Sequence, residues 1–256
     1  MCYNIGRIIR GVIMLLKVLF ALCIVLQVIF VPLFLQAQWP GICRKSLFYK
    51  MICATSFLGV GVLSMTIADN KSVYAIMMLV GLVFGWLGDL FLHLNNTQKA
   101  FAIGFCNFLV GHIVYIVAYI RTLPLISDKY SFFNIYEIIL ALSLVTLAIV
   151  AMVKFKIQIS VSVLKYGIVI YSLLLIVMHL KASALGLCYW LNGGKYGVIA
   201  FLVLAIGSLC FMLSDATLGI IMFGGQKRNK PLKVFNIVTY FLAQSMLASS
   251  ILFIKA

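Results

Sequence analysis

Two aspartates stand inside long apolar stretches of this sequence. Asp89 lies within residues 81–94, GLVFGWLGDLFLHL, and Asp215 lies within residues 207–219, GSLCFMLSDATLG. In both stretches a glycine lies eight residues before the acid, a small residue precedes it directly and a leucine follows it by three. A carboxylate inside a bilayer is costly and usually marks a site or an ion pathway. The matching settings of the two acids therefore indicate a shared function.

Two carboxyls close together in a low-dielectric setting favour different protonation states. One would then act as a general acid, while the other, ionised, would act as a base or stabilise a cation. The alternative is a structural pair, in which each acid is hydrogen-bonded to neighbouring helices and holds them together. The residue types alone leave both interpretations open.

The elements that must position these acids are membrane-spanning helices. With 65% hydrophobic and 10% charged residues, the chain has too few polar residues to cover a soluble globule. A spanning helix needs about 20 mostly apolar residues. The predicted spans are 12–35, 47–67, 73–94, 99–120, 132–153, 162–182, 197–224 and 232–254. The predicted fold is an all-α polytopic membrane helical bundle, forming one integral membrane domain over residues 1–256.

Antiparallel spans place the connections after spans 1, 3, 5 and 7 on one membrane face, here called the odd face. The longest polar connection, residues 121–131, and both termini are expected on the opposite face. Asp89 lies five residues and Asp215 nine residues from the odd-face ends of their spans, or about 8 and 14 Å deep. We expect the two carboxyls within about 10 Å of each other in one cavity, with the deeper Asp215 as the acid.

Other polar side chains are predicted to share the depth of the acids. Lys50, near the start of the second span, is expected to bind a substrate phosphate with help from the basic connections after spans 5 and 7. A histidine in an apolar helix is as often a satisfied core residue as a catalytic one, and tyrosines at helical spacing are often packing residues. The candidate substrate-binding residues are Lys50, Asn107, His112, Tyr115, Tyr171, Tyr240 and Gln244.

A zinc site is the alternative that the three histidines raise. His93 lies four residues after Asp89 and His112 could approach it, but His179 is expected near the opposite membrane face. No third nitrogen lies at the right depth, so no metal is expected. The seven cysteines have no CxxC spacing, which predicts neither disulfides nor metal knuckles.

The net charge of +15 comes from bases that lie mostly at span ends. This distribution is typical of contact with anionic lipid headgroups rather than with nucleic acid. Membrane lipids are therefore the expected surroundings, in the endoplasmic reticulum or another cellular membrane. Composition does not indicate the oligomeric state.

The sequence resembles the lysoplasmalogenase (YhhN-like) family of eight-span membrane proteins. The resemblance rests on five segments, of which the paired GD and SD motifs are the specific part: residues 81–92, 104–115, 166–184, 207–219 and 240–252. It implies hydrolysis of the vinyl ether bond of lysoplasmalogens to a fatty aldehyde and a glycerophospho-ethanolamine or -choline, without a metal or organic cofactor. Asp89 and Asp215 match the catalytic candidates of the family, and the polar positions around them are matched by His112, Tyr115, Tyr171, Tyr240 and Gln244.

The chain departs from the family pattern at two places. Lys50 is followed by Met51 where the family usually has proline, and Gly85 stands where a serine is common. Neither departure touches the aspartates. The rival functions are a proton-coupled transporter, in which buried acids relay protons, and a structural or lipid-binding protein.

Overall fold

A computed structural model describes residues 2–39, 41, 43–94, 98–128, 130, 134–157 and 162–255. This part of the chain forms eight α-helices followed by a short 3₁₀ helix at Ser250–Leu252, and it contains no strand. Each α-helix includes a segment long and apolar enough to cross a membrane. The helices are α1 (Cys2–Ala37), α2 (Arg44–Ala68), α3 (Val73–Leu94), α4 (Gln98–Ile126), α5 (Ile135–Lys154), α6 (Ser162–Leu191), α7 (Gly197–Phe223) and α8 (Lys230–Ser249). The predicted all-α, eight-helix fold is confirmed.

α1 begins at Cys2, ten residues before its predicted start, and two other helices continue well beyond their predicted ends. α4 continues through residues 121–126, which were predicted as part of a polar connection, and α6 continues nine residues beyond the predicted end at 182. The prediction ended both spans near a basic residue. Arg121 is exposed, so its charge can reach water from the side of the helix. Lys181 is buried but paired with Glu137, so its charge does not end α6. The predicted start of the fifth span, residue 132, lies outside the described residues.

The two helices that carry the buried aspartates, α3 and α7, both pack against α8. α3 contacts α2, α4 and α8, while α7 contacts α6 and α8. α4 also packs on α6, and α2 on α8. Among the described residues, α5 has extensive contacts with α6 alone, and it is largely exposed. The helices that carry the candidate residues are therefore the inner ones, and α5 is peripheral.

Glycines on α3 let α4 approach closely. The ring of Tyr115 lies over Gly81 and the ring of Phe108 lies over Gly88, at distances that a Cβ atom would violate. A Cβ on Gly111 of α4 would lie 3.3 Å from the carbonyl oxygen of Gly81. This contact brings the α4 face that carries Tyr115 into the centre of the bundle.

The end of the bundle opposite the odd face is tied to the end of the chain. The Asn70 amide, between α2 and α3, donates to the carbonyl oxygens of Ile251 and Ile254 at 2.8 and 2.6 Å. These bonds place the connection from α2 to α3 beside the residues after α8. That arrangement agrees with helices that alternate in direction.

Candidate active site

Asp89 is almost completely buried and has two strong partners. The Lys50 ammonium, from α2, lies 2.9 Å from Asp89 Oδ1, and the Tyr240 hydroxyl, from α8, donates to Oδ2 at 2.8 Å. The same ammonium lies 3.1 Å from His93 Nδ1, one turn after Asp89 on α3. We call these four residues the Asp89 cluster. Its cation and phenol are the partners that stabilise an ionised carboxylate away from water.

Two further side chains orient Tyr240. Gln244, one turn later on α8, donates from Nε2 to the Tyr240 oxygen at 3.2 Å. The Gln244 Oε1 accepts from the Tyr115 hydroxyl at 3.3 Å. Because the Tyr240 oxygen accepts a hydrogen bond from one side, its own hydrogen is directed towards Asp89. The cluster is therefore held by a row of hydrogen bonds across α3, α4 and α8.

Asp215 on α7 has a different environment. The Tyr171 hydroxyl, from α6, donates to Asp215 Oδ2. His112 Nε2, from α4, lies 2.9 Å from the Tyr171 oxygen and 3.5 Å from Asp215 Oδ2. We call these three residues the Asp215 cluster. In the described part of the chain, neither Lys nor Arg pairs with this acid, in contrast to Asp89.

The hydrogen bonds also assign a proton on His112. Since Tyr171 gives its hydrogen to Asp215, the Tyr171 oxygen must accept from His112 Nε2, which therefore carries hydrogen. His112 is 1% exposed, and its Nδ1 has no partner among the described residues. The neutral ring fits this setting, because a charged ring would bury a second N–H without an acceptor.

Phe211 joins the two clusters. Its ring centroid lies 4.8 Å from that of His112 and 5.6 Å from that of Tyr240, edge-on to both. The clusters are therefore neighbours in one apolar interior rather than separate surface sites.

The two acids differ in accessibility. The Asp89 side chain is 2% exposed and the Asp215 side chain is 10% exposed. Counted along its helix, Asp215 lies further from the odd face than Asp89 does. Asp215 is eight residues before the end of α7, and Asp89 is five residues before the end of α3. The more accessible acid is thus the one without a cation.

The structure brings most of the sequence candidates together. The hydrogen-bonded groups contain both acids with Lys50, His112, Tyr115, Tyr171, Tyr240 and Gln244. Asn107 is not among them, because its amide donates to the Ile103 carbonyl of its own helix at 2.8 Å. Lys50 was predicted to bind a substrate phosphate, and in the structure its ammonium contacts Asp89 and His93.

His93 is the residue that sequence reasoning missed. It was weighed only as a zinc ligand, although its spacing of four from Asp89 was a signal that both side chains face the same neighbour on α2. Within the described ranges, no three His, Cys, Asp or Glu side chains form a group that could hold a metal ion. His179 lies apart from both clusters and contacts Ser208 through Nδ1 at 2.9 Å.

Comparison with known families matches nearly the whole chain to one of them. Residues 14–251 match the YhhN family, a range that includes both acids and every candidate side chain. No curated protein and no solved structure shows significant similarity to this chain.

Proposed function

Because the chain belongs to the YhhN family, which is the lysoplasmalogenase family, we propose that it hydrolyses the vinyl ether bond of lysoplasmalogens. The products are a fatty aldehyde and a glycerophospho-ethanolamine or -choline. The observation that carries the proposal is the unequal environment of the two buried acids. Asp89 faces a lysine cation, whereas Asp215 faces a phenol and an imidazole.

The chemistry of the bond explains why unequal acids are useful. A vinyl ether resists base, but it accepts a proton at the β-carbon and leaves an oxocarbenium ion at the carbon that bears oxygen. Glycosidases meet a similar cation with one protonated and one ionised carboxyl group. A fixed anion in a water-poor interior stabilises such a charge more strongly than water does.

The proposed roles follow from the partners. Asp215, the more accessible acid, carries the proton and delivers it to the β-carbon. Asp89, held ionised by Lys50 and Tyr240, stabilises the cation. Tyr171 and His112 orient the Asp215 carboxyl, so that its Oδ1 faces the substrate while Oδ2 is held.

Water completes the reaction. A water molecule attacks the cationic carbon and gives its proton to the Asp215 carboxylate, which regenerates the acid. The resulting hemiacetal breaks its bond to the glycerol oxygen, and its hydroxyl proton ends on that oxygen. The balance is one water consumed, one aldehyde and one glycerol hydroxyl formed, with no change in the protein.

The decisive measurement is aldehyde release by purified protein in detergent, with a lysoplasmenyl lipid as substrate. In deuterated water, the product should carry one solvent deuterium at the carbon next to the aldehyde. A product without that deuterium would contradict protonation at carbon. Transport of the lipid into liposomes on a proton gradient, with no aldehyde formed, would support the transporter instead.

Asparagine variants test the two acids directly. Asp89→Asn and Asp215→Asn should each lower kcat by a factor of 100 or more, since acid–base groups contribute about 10² to 10⁴ to rate. Asp69→Asn is the matched control, because Asp69 is exposed and lies in a left-handed conformation that asparagine tolerates. Near-normal kcat in either buried variant would exclude the assigned role of that acid.

A further inference from the structure

A hollow of about 370 Å³ lies at the odd face, between the end of α1 and the start of α8. Gln38 and Trp39 line it just beyond α1, and Lys230 and Lys233 line it from the first turn of α8. None of these residues belongs to either acid cluster. We call this hollow the α1–α8 hollow.

Two cations converge in the α1–α8 hollow. The ammonium of Lys230 lies 4.5 Å and that of Lys233 lies 5.1 Å from the centroid of the Trp39 ring. In the part of the chain that the structure describes, no acid pairs with either lysine. Two like charges held over one ring repel each other, and an anion between them relieves that repulsion. The hollow is therefore suited to an anionic group.

An uncoordinated acceptor lines the same hollow. The Oε1 atom of Gln38 is buried and has no hydrogen-bond partner among the described residues. A buried acceptor left without a donor costs about 1 to 3 kcal/mol, so a ligand that brings a donor is favoured. A lysophospholipid headgroup carries the anion together with hydroxyl or ammonium donors.

Both walls of the hollow lead to the Asp89 cluster. On α8, Lys233 lies on the same helical face as Ile237 and Tyr240, about 10 Å further along the axis from Tyr240, which bonds Asp89. On α1, Phe34 lies one turn before Gln38, and its ring centroid is 5.4 Å from that of His93. The hollow therefore lies above Asp89 on the odd-face side.

The length of the substrate fits this spacing. From phosphorus through glycerol to the vinyl ether carbons, an extended lysoplasmalogen spans about 8 Å on standard bond lengths. A phosphate at the mouth of the hollow would thus place the reactive carbons near the depth of the two acids.

We propose that the α1–α8 hollow binds the phosphodiester of the single-chain lipid substrate, with Lys230 and Lys233 as the cations and Gln38 as an acceptor. This inference rests on the proposed function for the identity of the substrate. The sequence predicted this contact for Lys50 with help from the basic connection after span 7; the inference places it on Lys230 and Lys233 of that connection, because the Lys50 ammonium is held by Asp89 and His93.

The test compares two double variants of equal charge change. Lys230→Gln with Lys233→Gln removes the cations of the hollow, and Lys227→Gln with Arg228→Gln removes two bases of the same connection that do not line it. The probe is a saturated ether analogue of lysophosphatidylethanolamine, which cannot be cleaved, beside a monoalkylglycerol of equal chain length. Binding to detergent-solubilised protein is measured for both probes at low and high salt.

We expect the Lys230→Gln, Lys233→Gln variant to bind the phospholipid analogue about tenfold more weakly than wild type and to bind the alkylglycerol equally well. The loss of affinity for the phospholipid analogue should be smaller at high salt, because salt screens the lysine charges. The control variant should bind like the wild type. On cleavable substrate, KM should rise while kcat at saturation changes less than about threefold, since these interactions are the same before and during reaction. Gln38→Leu should also raise KM.

Several results would overturn the site. These are unchanged phospholipid binding in the hollow variant, an equal loss for the alkylglycerol, or an equal loss in the control variant. Wild-type protein that binds chain-free glycerophosphoethanolamine as tightly as the lipid would assign the hollow to a soluble phosphodiester instead. The analogue is not cleaved, so the binding test does not depend on activity. If binding requires the two lysines but no aldehyde is released from cleavable substrate, the phosphodiester site is supported and the proposed hydrolase function is excluded.

Discussion

Lys50 and Asp89 form an ion pair inside the bundle, with side chains that are 9% and 2% exposed and 2.9 Å between Nζ and Oδ1. They come from neighbouring helices, α2 and α3. The attraction between two buried charges offsets the cost of removing both from water only when their geometry is good and their other hydrogen-bonding positions are filled. His93 Nδ1 is a second partner of the Lys50 ammonium, and the Tyr240 hydroxyl donates to Asp89 Oδ2. Removing one of the two charges should therefore destabilise the folded protein more than removing both.

Lys50→Met is expected to lower the free energy of unfolding by about 3 to 5 kcal/mol, because it leaves the Asp89 charge without its cation. The double variant Lys50→Met with Asp89→Asn should recover much of that stability, since neither charge remains. It should nevertheless release no aldehyde. Thermal unfolding in detergent and the aldehyde assay measure the two properties separately. A double variant no more stable than Lys50→Met alone would show that the pair is not the source of the loss.

The Asp89 pair shows which parts of the site a sequence can predict. Depth in the membrane follows from residue counts, because a helix rises by a fixed distance per residue. For this reason the predicted spans were enough to place Lys50, Asp89 and Tyr240 at similar depths in the membrane. Which of them touch depends on the rotation and distance of each helix, and these are set by packing between residues far apart in sequence, such as Gly81 with Tyr115. The partners of Lys50 and the role of His93 could not be predicted for this reason.

The end of α6 is a feature of the fold that the sequence could not predict. A lysine in an apolar run is normally at a membrane surface, and the predicted sixth span ends at residue 182, one residue after Lys181. Its burial depends on Glu137, on α5, whose two carboxylate oxygens both lie 3.1 Å from the Lys181 ammonium. That pairing is visible only once α5 and α6 are packed together. A hydropathy pattern carries no information about it.

Tyr171→Phe tests the orientation of Asp215. The change removes the hydroxyl that donates to Oδ2 and the oxygen that accepts from His112. Asp215 gains negative charge as it gives up its proton, and a hydrogen bond to a charged group contributes about 1.5 to 3 kcal/mol, so kcat should fall roughly 10- to 100-fold with little change in KM. Tyr166→Phe, on the exposed side of α6, is the matched control and should retain full activity. A large rise in KM with kcat preserved would instead make Tyr171 a substrate-binding residue.

Tyr130, between α4 and α5, gives the stability of the protein a pH dependence. Partial burial raises the pKa of Tyr130 above its ordinary value, and the charge of Glu137 raises it further. Since the folded pKa exceeds the unfolded one, this stabilisation is complete below about pH 10 and is lost as pH rises towards the folded pKa. Tyr130 also accepts from Lys181 at 2.8 Å and donates to Glu137 at 3.0 Å.

The measurement for Tyr130 is chemical or thermal unfolding across pH 8 to 11. Tyr130→Phe should be less stable than wild type by about 1 to 2 kcal/mol at pH 8, and the difference should narrow above about pH 10. Tyr136→Phe is the control, because Tyr136 is 80% exposed one residue before Glu137. A difference that stayed constant or grew with pH would show that the phenol proton is not part of the stabilisation.

Gly81→Ala tests whether the close contact of α3 and α4 positions the Asp89 cluster. The new methyl group would overlap the ring of Tyr115, and displacing that ring breaks its hydrogen bond to Gln244, which supports Tyr240. Overpacking of this kind costs about 1 to 3 kcal/mol in stability, and kcat should fall with it. Gly219→Ala on α7 is the matched control, since no atom lies within 4 Å of the added methyl position. If Gly81→Ala and Gly219→Ala have equal stability and equal kcat, the close approach of α4 does not position Tyr240, and the hydrogen-bonded row has no role in catalysis.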